Sequence, residues 1–199
     1  MPPADRFIDL LRHGEVQGGD VLRGVTDDPL SLKGNTRMWQ SLGVARPWDK
    51  VVTSPLRRCH RFARSLADLS EIPLMQEPSL QEIDFGRWEG LEIESIWENE
   101  AELASSFWNN PFAVAPPGGE DPQAMKARVL QAWKALLNEQ MGSHLLVVTH
   151  GGPIRIILGD VLGMADAALN KIEVPHASLS RIRIPAGGWP PSLLFHRGV

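Results

Sequence analysis

The chain has one cysteine, no internal repeat, no excess of positive charge and no apolar run of membrane-spanning length. Each shortage excludes something. With Cys59 alone there is no disulfide within the chain, and a lone thiol suits a reducing compartment. The opening residues, MPPADRF, hold nothing like the apolar stretch of a secretory signal, so a cytoplasmic location is expected. A net charge of -4 gives neither nucleic acid nor an anionic membrane a reason to bind. The 199 residues, 43% of them hydrophobic, suffice for a sizeable core. One domain over residues 1–199 is expected, as a monomer or a homodimer.

The stretch that organises the chain is FIDLLRHGE, Phe7–Glu15. A short apolar run reads as a buried strand. It stops abruptly at Arg12-His13-Gly14-Glu15, which is charged and titratable. A second run ends the same way at Leu145-Leu146-Val147-Val148-Thr149-His150-Gly151-Gly152. In open α/β sheets ligands bind beyond the carboxyl ends of the strands. If the two strands are neighbours, both imidazoles face one pocket. The glycines after His150 suit close approach of a ligand.

Between these strands the polar loop Val16–Pro29 is too long for a simple turn. Ser31 caps an expected helix to Leu42, with Leu32, Met38, Trp39 and Leu42 buried. Lys50–Thr53 is a strand. Ser54-Pro55 reads as the cap and first position of a helix to about Leu69. At 100° per residue Pro55, Cys59, Phe62, Leu66 and Leu69 share its buried face. Arg58 flanks that face, while Arg57, Arg61 and Arg64 point outward. Leu74–Gln76 is an expected edge strand, and residues 88–120, with Trp97, Trp108 and then Pro and Gly breakers, an inserted lid. Asp121-Pro122 opens a helix that turns Met125, Val129, Ala132, Trp133, Leu136 and Leu137 inward. A further helix runs from Pro153 to Gly163, and strands are expected at Ala177–Ile184 and Ser192–His196. Strand–helix alternation predicts an α/β fold of three layers, a mostly parallel central sheet flanked by helices.

Arg12, His13, Arg58, His150 and Glu82 together suit phosphate monoester cleavage. Arginines supply planar donor forks for phosphate oxygens. A neutral imidazole attacks phosphorus, and a protonated carboxyl group donates to the departing alkoxide. For the acid, Asp84 and Glu89 are alternatives to Glu82. His60, His144, His176 and His196 read as structural or exposed, and Cys59 as packing.

LRHGE at Leu11–Glu15, TSPLRRC at Thr53–Cys59, LQEIDFGRWEG at Leu80–Gly90 and VTHGG at Val148–Gly152 stand in the order and spacing of the histidine phosphatase superfamily. The chain resembles its phosphoglycerate mutase-like branch over nearly its whole length. The resemblance implies a phosphohistidine on His13, phosphoryl binding by Arg12, Arg58 and His150, and Glu82 as proton donor. It also implies a small phosphate monoester as substrate and no metal or other cofactor. Gly151 joins the phosphate site, and Arg23 and Gly24 lie in the loop that covers substrate in relatives. Val16 and Gly19 depart from the Ser or Thr and the Asn of many members. The stretches RGVTDDPLS, FGRWEG, PPGGED and IEVPHASLSRI are similar to α-ribazole phosphatases of cobalamin assembly. A broad-specificity phosphatase and a mutase stand as alternatives. So do a metallohydrolase on His13, Glu15 and His150, and a phospho-ligand-binding module without turnover.

Overall fold

The structure is a computed structural model that describes residues 4–138 and 141–198. Its six-stranded sheet comprises β1 (Arg6–Arg12), β2 (Lys50–Thr53), β3 (Leu74–Gln76), β4 (His144–Thr149), β5 (Leu179–Ile184) and β6 (Ser192–Arg197). The spatial order is β3-β2-β4-β1-β5-β6. The first four are mutually parallel, whereas β5 runs antiparallel to both β1 and β6. The expected α/β architecture with a mostly parallel sheet is the observed one.

The central strands are covered on both faces, which is why they read as near-continuous apolar runs. Side chains alternate between the two layers. Ile8, Leu10, Leu145 and Val147 pack beneath α5 (Pro122–Leu136) and α6 (Gly151–Leu162). Leu11, Val51, Leu146 and Val148 pack beneath α1 (Leu32–Leu42) and α2 (Arg57–Ser70). Asp9 breaks the apolar run of β1 yet is fully buried. Arg181 at 2.7 Å, Trp48 Nε1 at 2.8 Å and His144 at 3.2 Å satisfy its carboxylate, as a buried charge requires.

Several boundaries differ from expectation. α2 starts at Arg57 with Leu56 as its N-cap, and the Ser54 hydroxyl lies 2.8 Å from His150 Nε2 while accepting from the Leu56 N–H at 3.4 Å. Leu32 and Leu69 sit at helix ends beyond the packed faces and are 86% and 71% exposed. Leu137 lies past the last turn of α5 and is half-buried. α6 begins at Gly151, two residues before Pro153, since a proline in the first turn gives up no helical hydrogen bond. β5 begins at Leu179, because Ala177, at φ 61°, ties its N–H to the His13 carbonyl instead.

The lid carries α3 (Ile93–Asn99) and α4 (Ala101–Asn109). It has a small core of its own, Trp88, Ile96, Ala104 and Phe107. Trp88 stacks on Trp108 at 5.7 Å and meets Phe107 edge-on at 5.4 Å.

Candidate active site

β1 and β4 pair in register, Leu11 against Val148 and Arg12 against Thr149. The next residue of each strand is therefore a histidine, and the two rings stand edge to face at 5.1 Å. His13 N–H donates to the Thr149 carbonyl at 2.9 Å, which locks this junction. Gly14 follows because a Cβ there would run into the Gly34 backbone of α1.

His13 Nδ1 lies 2.8 Å from the Gly14 carbonyl. A carbonyl only accepts, so Nδ1 carries the proton and Nε2 keeps its lone pair. Burial, then the Arg12 and Arg58 cations, hold the imidazole well below its ordinary pKa. The ring is neutral at pH 7, with an unprotonated nitrogen at the cavity.

His150 caps α6 and is fully buried. Its Nδ1 accepts from Arg58 Nε at 3.2 Å, which leaves Nε2–H for the Ser54 hydroxyl at 2.8 Å. Burial, then Arg58, depress this imidazole too. Arg58 is buried as the helix periodicity predicts, and Arg57 is exposed. Arg58 also donates to the carbonyls of Thr26 at 2.7 Å and Gly24 at 2.5 Å. Arg58 and His150 thus lie behind His13 rather than on the open wall. Cys59 touches the same histidine, and burial pushes its thiol up to about 12, so it is packing.

Glu89 explains why the Gly24–Thr26 segment is where Arg58 needs it. Its carboxylate accepts from the N–H groups of Gly24 and Val25 at 3.0 Å, Thr26 at 3.1 Å and Phe85 at 3.0 Å, and from the Thr26 hydroxyl. Burial alone would raise its pKa. The hydrogen bonds, that of Thr26 first, outweigh burial and leave the group ionised. Glu89 is a loop anchor, not a proton donor, and Asp84 is occupied with the Gly86 N–H at 2.7 Å. Glu82 does reach the cavity, accepting from the Gly152 N–H at 3.1 Å.

Arg12 donates to the Val174 carbonyl at 2.5 Å and to His176 Nε2 at 3.1 Å. Its Nε is buried without a partner among the described residues. Burial pulls Arg12 down to about 10, so it remains charged at pH 7. His176, read from sequence as structural or exposed, instead lines the cavity with its ring 5.3 Å from that of His13. Burial, then Arg12, hold it at about 4, which suits an acceptor. It lies in the stretch IEVPHASLSRI, but only the fold brings residue 176 beside residue 12.

Arg23 is tied within its own loop. It reaches the cavity wall, but its guanidinium is committed to Asp28 at 2.7 Å and to the carbonyls of Gly19 at 2.9 Å and Gln17 at 3.0 Å. It fastens its own loop. Gly24 serves Arg58 and Glu89 and does not line the cavity.

The cavity measures about 980 Å³. Arg12, His13, Glu82, Gly151 and His176 form its polar end. Leu22, Phe85, Ile93, Phe107, Trp108 and Phe112 form an apolar wall. Glu15, a ligand in the metal-dependent alternative, is paired with Arg37 at 2.6 Å and Lys33 at 3.1 Å. Among the described residues no group of three His, Cys, Asp or Glu side chains is placed to hold a metal ion. No helix among them is long and apolar enough to cross a membrane.

The family model for branch 1 of the histidine phosphatase superfamily matches residues 8–195. The chain belongs to that superfamily. The chain is 30% identical over 188 residues to a Salmonella paratyphi B protein named "Probable phosphoglycerate mutase GpmB", covering 90% of this chain and 86% of that one. Its structure is similar to the α-ribazole phosphatase of Shigella flexneri, with a TM-score of 0.81 at 26% identity, covering 97% and 95% of the two chains. It also matches a mycobacterial glucosyl-3-phosphoglycerate phosphatase in complex with vanadate, TM-score 0.84 at 23% identity and 98% and 100% coverage, a likeness of fold.

Proposed function

We propose that this histidine phosphatase hydrolyses phosphate monoesters through a covalent phosphohistidine on His13, without a metal. The observation that carries the reading is the His13 Nδ1–H bond to the Gly14 carbonyl. It fixes the tautomer that leaves Nε2 free to attack.

In the first step the Nε2 lone pair forms the N–P bond as the P–O bond to the substrate alcohol breaks. Glu82, entering as the neutral acid, gives its proton to the departing oxygen. Arg12 Nε, which lacks a partner, donates to the equatorial oxygens, and the Arg58 cation, fixed behind the nucleophile with His150, adds its charge to that stabilisation. In the second step water attacks phosphorus, Glu82 takes its proton back, and the electron pair of the N–P bond returns to Nε2. The products are the alcohol and inorganic phosphate.

For the substrate we take a phosphorylated nucleoside, α-ribazole 5′-phosphate, which would place the enzyme in cobalamin assembly in the cytoplasm. The large cavity and its aromatic wall with Trp108 support a leaving group bigger and flatter than glycerate. The likeness to the Shigella flexneri α-ribazole phosphatase supports the same reading. A panel of monoesters tests it. The value of kcat/KM for α-ribazole 5′-phosphate should exceed that for 3-phosphoglycerate by at least ~10²-fold, about 3 kcal/mol of differential transition-state binding. Equal rates, or mutase activity with 2,3-bisphosphoglycerate, would defeat the substrate assignment and leave the phosphohistidine chemistry standing.

A further inference from the structure

We propose that Arg155 is a further phosphoryl-binding residue, closing an oxyanion cradle over Gly151 together with Arg12. This rests on the phosphatase reading above and adds a ligand that the sequence motifs do not mark.

Gly151 is the first residue of α6, and Arg155 follows one turn later on the same face. Long side chains on a helix lean toward its N-terminus, so the Arg155 guanidinium lies back over the first turn. A Cβ on Gly151 would stand 3.4 Å from Arg155 Nη1 and 3.6 Å from Arg12 Nε. The hollow left by the absent side chain is therefore walled by two guanidinium groups, and all three residues line the cavity.

Neither cation is in an ion pair among the described residues. Arg155 Nε donates to the Ile172 carbonyl at 2.9 Å, and its terminal nitrogens have no hydrogen-bond or ion-pair partner among the described residues. Arg12 Nε is buried and unpaired beside it. By contrast Arg23, Arg128 and Arg181 each hold a carboxylate at 2.7 Å. A guanidinium laid over the positive end of a helix, next to a second guanidinium, is unfavourable on its own. It becomes favourable when a dianion fills the hollow, because N–H groups and helix dipole then point at the same oxygens. Glu82 does not compensate Arg155. It accepts from the Gly152 N–H and makes no ion pair with Arg155 among the described residues.

The test is oxyanion affinity, read by calorimetric titration of the intact protein with inorganic phosphate and with vanadate, beside KM and kcat on p-nitrophenyl phosphate. Arg155→Gln should weaken both anions at least ~10-fold, the loss of one charge-assisted contact. Arg155→Lys, which restores the charge but not the Ile172 bond, should stay within about 3-fold. Gly151→Ala meets nothing closer than 3.4 Å, so it fits the fold, yet its methyl occupies the hollow and should also weaken binding. Should Arg155→Gln fail to fold, the Lys and Gly151 variants decide alone. Equal losses for Gln and Lys would make Arg155 only a prop for Ile172 and overturn the proposal. Unchanged phosphate affinity with a raised KM for 3-phosphoglycerate alone would assign it to a second anionic group, and also overturn it. A wild type that binds no phosphate and cleaves no monoester would instead bring down the phosphatase reading, and this inference with it.

Discussion

The two ends of the cavity are built differently. At the sheet end, His13, Arg58 and His150 sit on or beside strand termini, almost wholly buried, and each is fixed by hydrogen bonds to backbone or to another member. At the lid end the wall is carried by short helices, α3 and α4, whose apolar core is small and separate from the two that flank the sheet. The difference separates two jobs. Positioning of a nucleophile to within a fraction of an ångström belongs on rigid elements with locked rotamers. Choice of the alcohol belongs on a segment that varies without disturbing the sheet.

Substitutions at the two ends should therefore act on different kinetic quantities. The largest separation is expected between neighbours on α2. Arg58→Ala removes the donor fork behind His13 and should cost more than ~10²-fold in kcat/KM on every substrate, whereas Arg57→Ala, exposed, should stay within a few-fold. Steady-state kinetics on two chemically different monoesters checks this, and the reverse ranking would show that the helix register is misassigned. A smaller and more selective effect is expected at the lid. Trp108→Ala should lower kcat/KM for α-ribazole 5′-phosphate about 10-fold, through KM, and leave p-nitrophenyl phosphate within about 2-fold. A loss equal on both substrates would mean that the lid serves the chemistry as well as selection.

Sequence reading reached much of the sheet end and little of what supports it. Two apolar runs each ending in His-Gly located both histidines, because strand periodicity and glycine are local signals. The 100° spacing put Arg58 inward and Arg57 outward for the same reason. The start of α2 was misplaced by two residues, and the contact of Ser54 with His150, 96 residues away, had no signal in the sequence. Glu89 looked like a candidate acid, and only the folded loop shows its oxygens spent on backbone N–H groups of residues 24 to 26 and 85. The pairing of Arg23 with Asp28 was likewise not legible, although both residues are visible in sequence. His176 belongs to a stretch with no charge pattern, and it matters only because the antiparallel addition of β5 to β1 returns the chain to Arg12. Local pattern finds residues that act at element ends. Residues that hold them there are found only once distant segments meet.

The central claim is that His13 Nε2 is the covalent nucleophile. The most direct measurement is a rapid quench of enzyme mixed with a substrate carrying labelled phosphate, followed by mapping of the labelled residue. Wild type should carry acid-labile, alkali-stable phosphate on His13. His13→Ala should carry none and lose at least ~10³-fold in kcat, on the order of 4 kcal/mol of barrier lowering. No trapped label in the wild type, together with near-normal turnover by His13→Ala, would contradict the account.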